Sequence, residues 1–236
     1  MGCSPASARA LALLMAFASS AVVSAQDDAA PAPRPRVLLI GDQGLSSHLD
    51  KVGVQLKDEA EVVRSPLGHL ATGAALERID ELLGDSSKGP AFDVVCFNFG
   101  LSDLMCRDPR TKEVRAMSPA AGGVPVTPLA RYRENLKELV AGFRAAGVEP
   151  LWISTPPLHP RSRNSALDPA AIPAYNAAAA AIMAEHDVRV FDAHAQVEEL
   201  LEPAKDARAR DRLHNDVRRK DLSEPLVEQL RTRLGN

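Results

Sequence analysis

The chain has 236 residues, with 28 Lys and Arg against 31 Asp and Glu, and a net charge of -3. This balance, without a long basic run, argues against nucleic acid as the main partner. Aromatic residues make up only 4% of the chain, which is too few for the stacking platforms that bind single strands.

The first 25 residues are typical of a signal peptide. A weakly basic start, Met1 to Arg9, precedes an apolar run from Ala10 to Val23, and residues 23–25 fit a small-residue cleavage site. The run is too short to span a membrane. Residues 26–35 are predicted to be a Pro/Ala linker, and residues 36–236 a single domain. The sequence therefore predicts an exported protein, periplasmic or extracellular, with no membrane span after cleavage.

The predicted fold is organised around the segment that begins at Arg36. Val37 to Gly41 is a short apolar run, typical of a strand that is buried on both faces of a parallel sheet. A polar turn follows, and leucine and valine then recur at helical spacing from Leu45. Because functional groups in open α/β sheets gather at the carboxyl ends of the strands, we expect Asp42 and Gln43 at a functional site.

Strands and helices are predicted to alternate along the rest of the chain. The predicted strands are 61–64, 93–98, 149–155 and 188–192, and the helices are centred on 75–83, 127–146, 169–186, 193–201 and 222–234. Residues 107–126 contain prolines and glycines without periodicity, so we expect a long loop over the rim of the site. Residues 202–221 form a charged segment without a predicted helix.

Five strands alternating with helices imply an α/β fold, a three-layer α/β/α sandwich with a five-stranded parallel sheet. By analogy with other folds of this kind, we expect the strand order 2-1-3-4-5. Cys96 lies inside an apolar strand, so buried free thiols are expected, with a disulfide to Cys106 as the alternative. Neither cysteine has neighbours that suit a metal site, and no metal or cofactor is predicted.

Three polar motifs follow the first strand, follow the third strand and precede the last helix. They are Gly41-Asp42-Gln43, Asn98-x-Gly100-x-x-Asp103 and Asp211-x-x-His214. Each alone is weak, because Asn and Asp are ordinary turn formers and His is often a solvated surface residue. Asp103 is expected to be structural, since Asp commonly caps the start of a helix.

The order and placement of these motifs resemble the SGNH or GDSL hydrolase family, from about Val37 to Leu234. Phe97-Asn-Phe-Gly-Leu-Ser-Asp-Leu104, Ser154-Thr-Pro-Pro157 and Tyr175-Asn176 are similar to an exported bacterial subgroup of esterase-like members. The resemblance implies a flavodoxin-like SGNH fold and ester hydrolysis.

The resemblance also implies a role for each motif. In the family, a serine after the first Gly-Asp attacks an ester carbonyl, the DxxH histidine accepts its proton, and the aspartate orients the imidazole, as in other serine triads. Backbone N–H groups and an asparagine amide stabilise the oxyanion. The residues carried over are His214 as base, Asp211 as its orienter and Asn98 as oxyanion donor, with Gly68 or Gly73, Gly100 and Asp42 in the ligand and oxyanion set.

Gln43 stands where the family has its serine. A glutamine amide nitrogen shares its lone pair with the carbonyl and is a very poor nucleophile. In the protease subtilisin, loss of the serine costs roughly a million-fold in turnover. Ser46, Ser47 and Ser102 are weaker candidates for a relocated nucleophile.

Three functions remain open at this point. The first is an SGNH-like domain without serine catalysis that keeps a cleft for an acylated or saccharide ligand, a small-molecule or polysaccharide ester. The second is an active acyl or acetyl ester hydrolase in which His214, oriented by Asp211, activates a water held by Gln43. The third, with the family resemblance set aside, is a flavodoxin-like nucleotide binder that uses Gly41 and Gly44.

Overall fold

The computed structural model describes residues 1–2, 33–42, 44–84, 89–111, 115–158, 164–217 and 223–235, with only the backbone for 215–217. The chain divides into two compact units, Met1–Pro33 and Arg34–Asn236. Most of the first unit, including the predicted signal peptide, lies outside the described residues. The account below concerns the second unit.

A five-stranded parallel sheet forms the centre of this unit. Its strands are β1 (Arg36–Ile40), β2 (Glu61–Arg64), β3 (Val94–Phe97), β6 (Glu149–Ile153) and β7 (Arg189–Phe191). They lie in the order β2-β1-β3-β6-β7, which is the expected 2-1-3-4-5 order of the five main strands. Val37 pairs with Val62 on one side and Val94 on the other, so β1 is an inner strand. Both the α/β class and the strand order are confirmed.

Nine described helices accompany the sheet. They are α1 (Ser46–Gln55), α2 (Thr72–Glu77), α3 (Ile79–Leu83), α4 (Leu101–Leu104), α5 (Leu129–Ala145), α6 (Ile172–Glu185), α7 (Ala193–Leu201), α8 (Ala207–Val217) and α9 (Glu224–Leu234). Two 3-10 turns, Pro119–Ala121 and Pro169–Ala171, precede α5 and α6. Leu222, expected within the last helix, lies outside the described residues.

Side chains of the inner strands alternate between two hydrophobic clusters, as the two-residue period of a strand requires. Leu38 and Ile40 point to a cluster that includes α5 and α6. Val37 and Leu39 point to a second cluster, referred to below as the α1/α9 core. The described members of that core outside the sheet are Leu45, Leu49, Val52, Leu56, Ala60, Ala193, Leu226, Val227 and Leu230.

One predicted loop contains paired strands, and one helix was not predicted. The stretch 107–126 is not a structureless loop, because β4 (Cys106–Arg107) pairs antiparallel with β5 (Val124–Pro125). The charged segment 202–221 contains helix α8, whose Ala and Arg residues are good helix formers even without an apolar period. Helix α8 therefore carries the Asp211-x-x-His214 motif.

The two cysteines of the domain are free and buried. Burial raises the pKa of both thiols, and Asp168 adds to this effect at Cys106. A neutral buried thiol behaves as a small apolar side chain. The free-thiol expectation is confirmed, and the disulfide alternative is wrong.

Candidate functional site

Asp42 connects the turn after β1 to the turn after β3. Its carboxylate accepts hydrogen bonds from the backbone N–H of Gly44, at 3.0 Å, and of Leu101, at 3.2 Å. The residue is only 4% exposed. Burial raises the pKa of Asp42 from 3.8 to about 6, against the opposing effect of the two N–H donors. Asp42 thus fixes the geometry of two of the three predicted motifs.

Gly68 lies directly against the same turn. A Cβ atom on Gly68 would overlap the carbonyl oxygen of Gly41 and would lie 2.8 Å from its backbone nitrogen. Gly73 lies elsewhere, in α2, and a Cβ there would meet only Asn135 Nδ2 at 3.7 Å. Of the two glycines that sequence spacing could not separate, Gly68 is the one beside Gly41.

Asn98 is buried in the sheet and uses its amide within the protein. Its Nδ2 donates to the carbonyl of Ile153 at 2.8 Å and to Thr155 Oγ1 at 3.1 Å. Its Oδ1 is buried without a hydrogen-bond partner among the described atoms. Both amide hydrogens therefore join β3 to the end of β6. The oxyanion-donor role implied by the resemblance would require at least one of these two bonds to break.

Gly100 packs against Thr155 so closely that a Cβ atom would overlap the threonine hydroxyl. Thr155 is held from the other side by Asn176, which accepts from its N–H at 3.0 Å and donates to its carbonyl at 2.8 Å. His194 Nδ1 also lies 3.0 Å from that carbonyl. Thr155, which belongs to the Ser154-Thr-Pro-Pro157 stretch, is the point where the second motif, α6 and α7 meet.

Asp103 is fully buried and structural, as expected. Its carboxylate accepts from the Thr72 N–H at 3.0 Å and from the Thr72 hydroxyl at 2.6 Å. Asn135 in turn donates to Thr72 Oγ1 at 2.9 Å. Burial raises the pKa of Asp103, and the bonds from Thr72 oppose that shift. This cluster joins α2, α4 and α5 behind the candidate site.

His214 is brought to the site, and Asp211 lies one helical turn before it on α8. His214 is 4% exposed and lines a pocket together with Gly44. Asp211 is half-buried and is not one of the pocket-lining residues. The base predicted from the sequence therefore lies beside the turn that carries position 43.

The enclosed cavity of the pocket has a volume of about 70 Å³, and the empty space reaches about 590 Å³ when its solvent-open mouth is counted. It lies within the α1/α9 core at the carboxyl ends of β6 and β7. Its lining residues are Gly44, Leu45, His48, Leu49, Ile153, Pro156, Pro157, Phe191, Ala193, Val197, His214, Ser223 and Leu226. Such a cavity, mostly apolar with a few polar groups, is typical of a small-ligand site.

Sequence reasoning missed most of this lining. His48 comes three residues after Leu45, so the helical period places both on one side of α1. The sequence did not indicate that Ala193, Val197 and Leu226 share a pocket, because they come from α7 and α9 and meet only in the folded chain. Their helical spacing predicted burial but not a cavity.

The candidate nucleophiles do not converge on this pocket. Gln43 itself lies outside the described residues. Ser46 and Ser47 start α1 and are not among the lining residues. Ser102 donates its hydroxyl to the carbonyl of His69. Among the described lining residues, Ser223 is the one serine that a ligand in the pocket could contact.

Among the described residues, no group of three or more His, Cys, Asp or Glu side chains is arranged to hold a metal ion. Within that same part of the chain, no helix is long and apolar enough to cross a membrane.

Residues 41–217 match the model of the GDSL-like Lipase/Acylhydrolase family. Since the match covers most of the chain, this protein belongs to that family. No curated protein matches the chain.

Several solved structures are similar to this chain. A proposed acylhydrolase from Bacteroides fragilis is similar over 70% of this chain and 73% of its own, with 16% identity and a TM-score of 0.51. A lipase/acylhydrolase from Enterococcus faecalis is similar over 70% of this chain and 78% of its own, with 18% identity and a TM-score of 0.49. The psychrotrophic esterase EstA from Pseudoalteromonas is similar over 85% of this chain and 99% of its own, with 15% identity and a TM-score of 0.47. At 16% identity, the likeness to the Bacteroides fragilis structure supports the fold alone.

Proposed function

We propose that this protein is an exported, ligand-binding member of its family that lacks serine-dependent ester hydrolysis. The observation that carries the proposal is the apolar pocket beside Gly44, next to a position where the family resemblance implies a serine and the sequence has Gln43. The pocket offers space for an acylated ligand, while the glutamine amide offers no effective nucleophile.

The surroundings of position 43 support binding more than turnover. The Asp42 carboxylate accepts hydrogen bonds from the backbone N–H groups of Gly44 and Leu101, so the residues on either side of position 43 are held in place. Asn98 donates both amide hydrogens inside the protein, which leaves it no hydrogen for an oxyanion. A glutamine in this turn has both a donor and an acceptor for a hydroxylated or ester ligand.

A second function is favoured by one observation, the position of His214 on the pocket wall. In this alternative the imidazole activates a water that attacks an acyl or acetyl ester, and no protein nucleophile takes part. Asp211 would then act through His214 as a positioning residue.

Hydrolysis of a short-chain acyl ester by the purified protein distinguishes the two functions, with His214→Ala and Gln43→Ser as matched variants. We expect no turnover by the unaltered protein above the His214→Ala background. Activity gained only in Gln43→Ser would show a base and binding site that lack their nucleophile. Turnover by the unaltered protein that disappears in His214→Ala would replace the binding function with the water-activating hydrolase.

The export component rests on the sequence. We propose residues 1–25 as the signal peptide, 26–35 as the linker and 36–236 as the single domain. Mass spectrometry of protein recovered from the periplasm or medium of an expressing bacterium should give Gln26 as the first residue. An intact Met1 in the cytoplasmic fraction alone would contradict export.

A further inference from the structure

The pocket changes character from its mouth to its interior. Gly44 is exposed, and His48, Pro156 and Pro157 are half-buried, so these residues form the mouth. The other lining residues are buried: Leu45, Leu49, Ile153, Phe191, Ala193, Val197, His214, Ser223 and Leu226. Most of them belong to the α1/α9 core. The interior is therefore a gap in a hydrophobic core that opens beside position 43.

This interior suits an alkyl chain better than a sugar ring. Among the described lining residues, none is a Lys, Arg, Asp or Glu. His214 and Ser223 are the polar side chains of the buried lining, and the other hydroxyl groups of a buried sugar ring would face Leu, Ile, Phe and Val side chains. Each polar group buried without a partner costs roughly 1 to 3 kcal/mol. A methylene chain has no such groups, and its burial is favourable by about 0.8 kcal/mol per methylene. The uncharged, mostly apolar lining of the interior therefore favours an apolar ligand group inside the pocket, with the polar head of the ligand at the mouth.

We propose that the pocket binds the alkyl part of a medium-length acyl ligand, chain first, and that Ala193 sets the chain length it accepts. The inference rests on the binding function proposed above and names its ligand class. It favours a longer acyl group over an acetyl group, which would leave the buried part of the cavity empty.

Ala193 has the smallest side chain in the buried wall, and its position is well fixed. It is the first residue of α7, directly after the cap residue Asp192. The Asp192 carboxylate accepts from Ala195 N–H at 3.0 Å and from the Ser154 hydroxyl at 2.7 Å. Val197 lines the same pocket one turn further along the helix. A leucine at 193 would add three carbon atoms to the wall, taking the space of about that many ligand methylenes.

The test uses straight-chain alkyl β-glucosides from hexyl to decyl, titrated into the purified full-length protein by calorimetry below their micelle concentrations. These probes have neutral heads and no ester bond, so binding is measured even if the protein hydrolyses esters. For each added methylene we expect about fourfold tighter binding until the pocket is full, after which the affinity levels off.

The limiting length is the longest alkyl chain at which the affinity still increases. Two variants should change this length in opposite directions. Ala193→Leu should shorten it by two or three methylenes, so the longest chain that the unaltered protein holds should bind roughly 15- to 60-fold more weakly. Val197→Ala should lengthen it by one or two methylenes. Ala195→Leu is the matched control, because Ala195 is exposed on the same helix, and its series should equal that of the unaltered protein.

Each outcome decides the proposal. A rise in affinity with chain length but an unchanged limit in both Ala193→Leu and Val197→Ala would overturn the role of Ala193. Affinity independent of chain length would overturn the alkyl pocket, while binding of an acetylated xylo-oligosaccharide would then leave the general binding function intact. Conversely, ester turnover with a normal chain-length series would refute the non-hydrolysing function and keep the pocket assignment. If circular dichroism shows that Ala193→Leu is unfolded, Ala193→Val takes its place: it should shorten the limiting chain by one or two methylenes, and an unchanged limit would overturn the role of Ala193.

Discussion

At the scale of single residues, Asp42 is a buried carboxyl whose ionisation opposes folding. Its pKa is raised from 3.8 to about 6 in the folded protein, so the folded state holds this proton more tightly than the unfolded state. The stabilisation that the protonated Asp42 carboxyl gives the folded state is fully present below pH 3.8 and is lost as the pH rises through about 6. The difference corresponds to about 3 kcal/mol in the free energy of unfolding.

We therefore expect the Asp42 carboxyl carbon to titrate with a midpoint near pH 6 by NMR. The Asp42→Asn variant, which carries no charge at either pH, is the reference for stability. Between pH 4 and pH 7 the unaltered protein should lose about 2 kcal/mol in free energy of unfolding relative to that variant, measured with urea. An Asp42 midpoint near 4 would show that the two N–H donors outweigh burial.

Gly68 and Gly73 give a second test at the residue scale, because they contrast in their surroundings. Gly68→Ala would force a Cβ into the backbone of Gly41, and overpacking of this kind costs roughly 1 to 3 kcal/mol. Gly73→Ala meets only ordinary contact at 3.7 Å and improves helix propensity by about 1 kcal/mol. Thermal unfolding should show a lower midpoint for Gly68→Ala and an equal or higher midpoint for Gly73→Ala.

An equal effect of the two alanines would contradict the close approach of Gly68 to the first turn. The same pair separates structure from ligand binding. Only Gly68→Ala displaces Gly41 and the turn next to the pocket, so only that variant should weaken alkyl glucoside binding.

At the scale of elements, the Thr72 hydroxyl joins three helices. It donates to Asp103, the last residue of the second motif, on α4, and accepts from Asn135 on α5. Thr72→Val keeps the shape but removes this hydroxyl, leaving two buried partners without it. We expect a loss of roughly 1 to 3 kcal/mol in the free energy of unfolding, measured with urea.

Thr72→Ser is the matched control for that variant. It keeps the hydroxyl and removes one methyl group, so its stability should lie closer to that of the unaltered protein. If Thr72→Ser were destabilised as much as Thr72→Val, the packing of the methyl group would be the main contribution of Thr72.

Helix α8 shows why one element escaped prediction. The α1, α5 and α9 sequences have apolar residues at helical spacing, so their existence could be predicted. Helix α8 has a polar sequence, in which His214 is its buried member among the described side chains. Its helical state follows from Ala and Arg propensity and from contact with α7, through the Arg210 bond to Glu198 at 2.6 Å.

For the whole molecule, the fold could be predicted because each strand and most helices are indicated by the residues within the element itself. Apolar runs bounded by turns mark the five strands, and right-handed crossovers leave few ways to order them. The site was predicted only in part. Asp42 and His214 were recognised from motifs, but the direction of the Asn98 amide depends on Ile153 and Thr155, which are distant in sequence. The pocket depends on six separate elements and could not be predicted from any one of them.

The pocket wall consists largely of side chains from the α1/α9 core. Substitutions that pack this core more tightly would raise heat resistance and, in the same step, remove the space for a ligand. Variants selected only for thermal tolerance should therefore accumulate larger side chains at Ala193 and Val197. Retention of Ala193 and Val197 when ligand binding is selected together with thermal tolerance would indicate that function needs the vacant space, since stability and function make opposite demands on it.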